Sequence, residues 1–222
     1  MTALRAAVGI FLTATTIIAP ADANQRWPAL FDVTGVSSDD VLNIREAPDA
    51  RSPIVGTLAP DAEGVELIRP NAGESWAVVN TGEGHGWVSL AYLERADETP
   101  RTAGPAVRQC FGTEPFWSLV FTPPHITFTT PEVAPRQGLV SSFYASRSHP
   151  GRFAETGSLF PGLWGNCDIH LSIRLEACND GMSDREYGIA VDMLLTRPDQ
   201  AGDRSGTGLY SGCCSLTAPP SE

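Results

Sequence analysis

The chain has 222 residues, with 15 arginines, no lysine and 26 acidic residues, for a net charge of −11. That balance excludes nucleic acid and an anionic membrane surface as partners, because both require clustered cations. His85, His125, His149 and His170 are scattered without HExxH spacing and the five cysteines form no CxxC frame, so neither a metal centre nor a cofactor is expected.

At the N-terminus, Arg5 precedes a run from Ala6 to Ile18 that is apolar or weakly polar throughout, broken by Pro20 and followed by the small-x-small site Ala21-Asp22-Ala23. The run is shorter than the ~18 residues a membrane span needs. It is the pattern of a secretory signal peptide over residues 1–23. No cysteine lies near the cleavage point, so no lipid anchor is expected there. The mature chain is expected to begin near Asn24, to keep no membrane anchor after cleavage, and to be periplasmic or secreted.

Residues 28–96 carry short strand-like runs bounded by turn formers. They are VLNIR (Val41 to Arg45), IVGTL (Ile54 to Leu58), GVELI (Gly64 to Ile68), SWAVV (Ser75 to Val79) and HGWVSLAYL (His85 to Leu93). Short strands with closely spaced turns predict a small barrel. Its acids outnumber its arginines by eleven to four, which suits an ammonium-bearing ligand. Trp76, Trp87 and Tyr92 are the candidate ligand-binding residues, since each ring serves either a core or a groove. Residues 97–106 form a polar linker with proline and glycine and without periodicity.

Residues 107–217 form a second domain with all five cysteines. FWSLVF (Phe116 to Phe121), HITFT (His125 to Thr129), LVSSFYAS (Leu139 to Ser146), DIHLSIRLE (Asp168 to Glu176), YGIAVDMLL (Tyr187 to Leu195) and GLYSGCC (Gly208 to Cys214) are strand candidates. Ile169, Leu171, Ile173 and Leu175 alternate with polar residues, the mark of a half-buried strand. The stretch from Ser146 to Asn166 is expected to be an extended loop. The fold class is therefore all-β, a small barrel plus a second antiparallel β-barrel or half-barrel.

Two stretches concentrate chemistry. In CFGTEPFWSLVF, Pro115 suits the start of a strand, and Glu114 either accepts backbone N–H groups at the turn or stands at a barrel mouth. In CNDGMSDREY, Asp180-Gly181 is a turn signal and Ser183 with Glu186 fits a capping box, while the frame of a calcium-binding loop is missing. Glu114, Trp117, Asp180 and Asp184 are the candidate site of the second domain. No GxSxG elbow is present, and no motif pairs a reactive cysteine with a histidine.

The first domain resembles the bacterial SH3 domain (SH3b, SH3 type 3). The residues that carry the likeness are Leu42, Asn43, Ile44, Arg45 and Pro48; Val55, Gly56 and Leu58; Trp76 and Val79; Gly86, Trp87 and Val88; and Tyr92 and Leu93. The resemblance implies that the small barrel is SH3-like and that it binds peptidoglycan peptides or an envelope protein. The second domain is similar to a little-characterised bacterial envelope domain, through Gly112, Glu114, Pro115 and Trp117, the segment Cys178 to Asp184, and Gly212-Cys213. A fainter likeness to META-type and lysozyme-inhibitor-type domains supports a barrel. Cys167 matches no element of that pattern.

Two bridges and a spare thiol can be drawn in fifteen ways, five choices of spare with three pairings each. Cys213 and Cys214 are adjacent, so on a strand they face opposite ways and take different partners. The envelope-domain resemblance implies Cys178–Cys213. Closing a barrel brings its first and last strands together, which favours Cys110–Cys214. The function expected is that of an exported, non-enzymatic envelope binding or scaffolding protein. The rivals are an envelope hydrolase with a carboxylate site in the second domain and an inhibitor of a wall-degrading enzyme.

Overall fold

The computed structural model describes residues 27–96, 104–162, 165–197 and 207–218. The expected signal peptide (1–23) and most of the expected linker (97–103) lie outside the described residues.

The first domain is one antiparallel sheet of seven strands around its own core. The strands are β1 (Ala29–Val33), β2 (Leu42–Arg45), β3 (Ile54–Leu58), β4 (Val65–Pro70), β5 (Trp76–Thr81), β6 (Gly84–Ser89) and β7 (Leu93–Arg95), in the order β3-β2-β6-β5-β4-β1-β7. Alternation sets what each strand buries: Ala29, Phe31 and Val33 of β1 and Leu42 and Ile44 of β2 point into the core with Leu67, Ala77, Val79 and Val88. Gly82 turns the two-residue β5–β6 hairpin at φ 53°. Gly86 lets β2 approach, since a Cβ there would stand 2.5 Å from Ile44 Cγ2. The expected strand from His85 to Leu93 is broken. A 3-10 turn, Leu90–Tyr92, carries the chain from β6 to β7, which pairs with β1 at the far edge of the sheet.

The second domain is a closed antiparallel barrel of eight strands, each paired with its neighbours in sequence. They are β8 (Gln109–Thr113), β9 (Phe116–Thr122), β10 (His125–Thr130), β11 (Val133–Ala145), β12 (Arg152–Gly162), β13 (Gly165–Cys178), β14 (Tyr187–Thr196) and β15 (Gly208–Ser215). One expectation is corrected: much of the stretch from Ser146 to Asn166 is strand, with β12 paired between β11 and β13. Phe153, Glu155, Gly157 and Leu159 face inward there. A glutamate and a glycine at inward positions erase the apolar alternation that marks a strand in sequence.

The barrel is filled rather than hollow. Trp117, Phe128 and Tyr210 pack ring against ring at 5.9–6.5 Å between centroids, and Leu119, Ile126, Ile169, Ile173, Ile189 and Met193 fill the rest. Each such aliphatic side chain contributes about 1.5–3 kcal/mol by leaving water. Cys167 is buried among them, and Arg136 donates to its Sγ at 3.3 Å and to the Phe160 carbonyl at 3.3 Å. Cys110 of β8 lies opposite Cys214 of β15 in register and is bonded to it, so this disulfide closes the barrel seam. Cys178, at the end of β13, is bonded to Cys213.

Candidate functional site

The segment after β13 is a docking element. Asp180 organises its turn: Oδ1 accepts from the Met182 and Ser183 amides at 3.0 and 2.9 Å, and Oδ2 accepts from Ser183 Oγ at 2.8 Å. Burial pushes the Asp180 carboxyl up, but these hydrogen bonds outweigh it and hold the group below the usual carboxylate range. The expected capping box does not form, because no helix follows Ser183. The chain instead runs extended across the first domain.

There, Glu186 accepts two hydrogen bonds from Arg69, at 2.7 and 2.8 Å, and His85 Nε2 stands 3.3 Å from its carboxylate. The Asn80 side chain donates to the Glu186 carbonyl and accepts from its amide. Asp184 takes part through its backbone, its amide donating to the Glu83 carbonyl at 2.9 Å and its own carbonyl 2.7 Å from His85 Nδ1. A second contact lies at Glu66, whose carboxylate accepts from Ser215 Oγ and from the Leu216 amide. Ile68 and Val78 are buried outside the first domain's core, on the face where Gly188 of β14 meets Pro28 and the Ile68 carbonyl. One face of the first sheet is therefore covered.

The two interface carboxylates are shifted in opposite directions. Arg69's hydrogen bonds hold Glu186 below the usual range. Burial pushes Glu66 above it, against the hydrogen bonds from Ser215 and Leu216. Trp87 lies beside this interface, with the guanidinium of Arg69, which holds Glu186, 5.1 Å above its ring.

Trp76 and Tyr92 lie apart from Trp87 and share a groove of about 600 Å³ with Asp40, Leu42 and Arg45. Tyr92 is exposed and Trp76 half-buried. Asp40 and Arg45 line this groove, and the Arg45 guanidinium also donates to the Ser52 carbonyl at 2.8 Å. Of the three expected ligand-binding aromatics, the fold brings Trp76 and Tyr92 together and sets Trp87 apart, under Arg69.

A second cleft, of about 800 Å³, lies on the outside of the barrel. Glu114 and Asp180 line it; Trp117 and Asp184 do not. Glu114 and Pro115 form the two-residue turn between β8 and β9, which sends Phe116 outward and Trp117, 4% exposed, into the barrel core. Trp117 packs against Gly112, where a Cβ would stand 2.2 Å from its Nε1. Sequence reasoning missed Arg174, Asp192 and Ser211 on the cleft wall. Arg174 donates to Glu176 at 2.7 Å and Asp192 at 2.6 Å, and Ser211 Oγ donates to Asp192 at 2.7 Å. The Ser211 hydrogen bond, then Arg174, hold Asp192 below the usual range. These residues meet through strand register and carry no local signal.

Among the described residues no group of three or more His, Cys, Asp or Glu side chains is placed to hold a metal ion. No described helix is long and apolar enough to cross a membrane. No curated protein and no solved structure matches the chain. Residues 40–94, from Asp40 at the groove through the 3-10 turn that carries Tyr92, match the family model described as Bacterial SH3 domain. The first of the two domains is a bacterial SH3 domain.

Proposed function

We propose that the protein is an exported, non-enzymatic component of the cell envelope, and that its SH3 domain binds peptidoglycan stem peptide in the groove of Trp76 and Tyr92. The observation that carries this reading is that the groove stays open at the Trp76 end of the sheet, beside the part of the β4–β5–β6 face where Arg69 and Asn80 hold the Glu186 segment. Its aromatic walls suit the apolar stem of a peptide side chain, and Asp40 and Arg45 suit a ligand with both a free ammonium and a carboxylate. The bacterial SH3 domain and the two disulfides fit an extracellular or envelope protein.

Sedimentation with purified peptidoglycan tests the reading on the full chain. The protein is expected in the pellet, less of it at high salt. Trp76→Ala and Tyr92→Ala are each expected to weaken binding about tenfold with the fold retained, by loss of ring contact area. Equal recovery in the supernatant with and without peptidoglycan would reject the proposal.

A further inference from the structure

Three segments far apart in the chain line the outer cleft of the barrel: the β8–β9 turn, the turn after β13, and Gly212-Cys213 of β15. They are cross-linked. The Cys178–Cys213 disulfide ties the second to the third, and Thr113 Oγ1 donates to the Asp180 carbonyl at 2.7 Å, which ties the first to the second. The walls are thus held in a set relation before any ligand arrives, which reduces the ordering cost of binding.

The surface of the cleft is unusual in two ways. Phe116 and Met182 stand 53% and 68% exposed at its edge, a pair of large apolar side chains left in water. Its charges do not cancel. Asp180, Asp192 and Glu114 face one guanidinium, that of Arg174, which Glu176 and Asp192 already engage. Asp180 is turned into its own loop and Asp192 is paired, whereas Glu114 makes no hydrogen bond or ion pair among the described residues. An unpaired carboxylate beside exposed apolar side chains is complementary to a long side chain with an apolar stem and a cationic tip. An anionic ligand meets excess negative charge, and a neutral apolar one strips water from Glu114 without replacing its hydrogen bonds.

We propose that this cleft binds a peptide segment presenting a lysine-type ammonium, with Glu114 receiving the ammonium and Phe116 and Met182 covering its methylene stem. The site is separate from the SH3 groove and does not depend on what that groove binds.

Methionine methyl NMR on the full chain reads this cleft directly. Met182 lies at its edge and Met193 in the barrel core, so the two methyls report binding and fold separately. The probe is acetyl-Leu-Lys-Leu-amide, with norleucine in place of lysine as its uncharged partner. The Met182 signal is expected to move saturably with the lysine peptide while Met193 stays in place. The norleucine peptide is expected to bind about three- to fivefold more weakly, the range of a partly exposed ion pair. Glu114→Gln, an exposed turn substitution, is expected to abolish that difference, and Phe116→Ala to weaken both peptides. A stationary Met182 signal, both methyls moving together, equal affinity for the two peptides in the unmodified protein, or a preference that survives in Glu114→Gln would each overturn the proposal.

Discussion

The two domains are held together by different means. The SH3 domain has no cysteine and closes over an apolar core of β1, β2, β4, β5 and β6 residues. The barrel has a larger apolar interior, yet it also buries Arg136, Glu155 and Cys167 and carries both disulfides at one side. Cys110–Cys214 closes its seam, and Cys178–Cys213 anchors the segment that reaches the SH3 domain. The contrast teaches that the cross-links serve the barrel and its docking arm, while the smaller domain depends on burial.

Reduction breaks that comparison most strongly. The bridges join residues 104 and 35 positions apart, and chain entropy assigns them about 5 and about 4 kcal/mol. That is comparable to the net stability of a whole domain. Calorimetry under reducing conditions is expected to lose the barrel transition and keep the SH3 one. Loss of both transitions together, or of neither, would show that the domains do not differ in this way.

A smaller effect is expected at the contact between the domains. A Cβ at Gly188 would stand 2.8 Å from Cδ and 3.1 Å from Cγ of Pro28, atoms of a rigid ring. Gly188→Leu is expected to cost about 1–3 kcal/mol of overpacking, and the cost falls on docking because the clash is with the other domain. Small-angle scattering is expected to show a larger radius of gyration with both domains still folded. An unchanged radius would mean that the contact absorbs the side chain.

The smallest effect is the dependence of docking on pH. Glu186 has its carboxyl lowered by Arg69, so its contribution is present above the usual carboxylate range and is lost as pH falls through the lowered value. The pair is partly exposed, so that contribution is about 0.5 kcal/mol. Glu66 has its carboxyl raised by burial, so its contribution is full below the usual range and is lost as pH rises through the raised value. Docking should therefore be tightest at mildly acid pH. Glu66→Gln, whose one amide oxygen accepts from the Leu216 amide while its NH2 donates to Ser215 Oγ, removes the charge and is expected to remove the loss on the alkaline side. Scattering or thermal midpoints across the acid-to-neutral range check this, and an identical slope in the variant would remove Glu66 from the account.

Much of the architecture was legible where the signal is local. The alternation of Ile169, Leu171 and Ile173 marks β13, and Asp180-Gly181 marks a turn. Where the pattern failed, the cause is specific. β12 was hidden because Glu155 and Gly157 occupy inward positions, and β1 because Asp32 interrupts a run of only five residues. The aromatic residues of the SH3 domain look equivalent in sequence. Register puts Trp76, opposite Ser89, and Trp87, opposite Val78, on the same face of the sheet, and position along the strands separates them: Trp76 at the start of β5 lines the groove, while Trp87 lies under Arg69.

By itself, then, the sequence determined the strands with clean periodicity, the turn chemistry and the acidic balance, because each is carried by residues within a few positions of one another. The tertiary structure alone decided that Glu186 meets Arg69 across 117 positions, that Ser215 meets Glu66 across 149, and that Glu114 shares a cleft with Asp180 while Asp184 leaves it. Such meetings depend on barrel closure, strand register and the docking of one domain on another. A one-residue shift of register would exchange every inward side chain for an outward one without changing the composition.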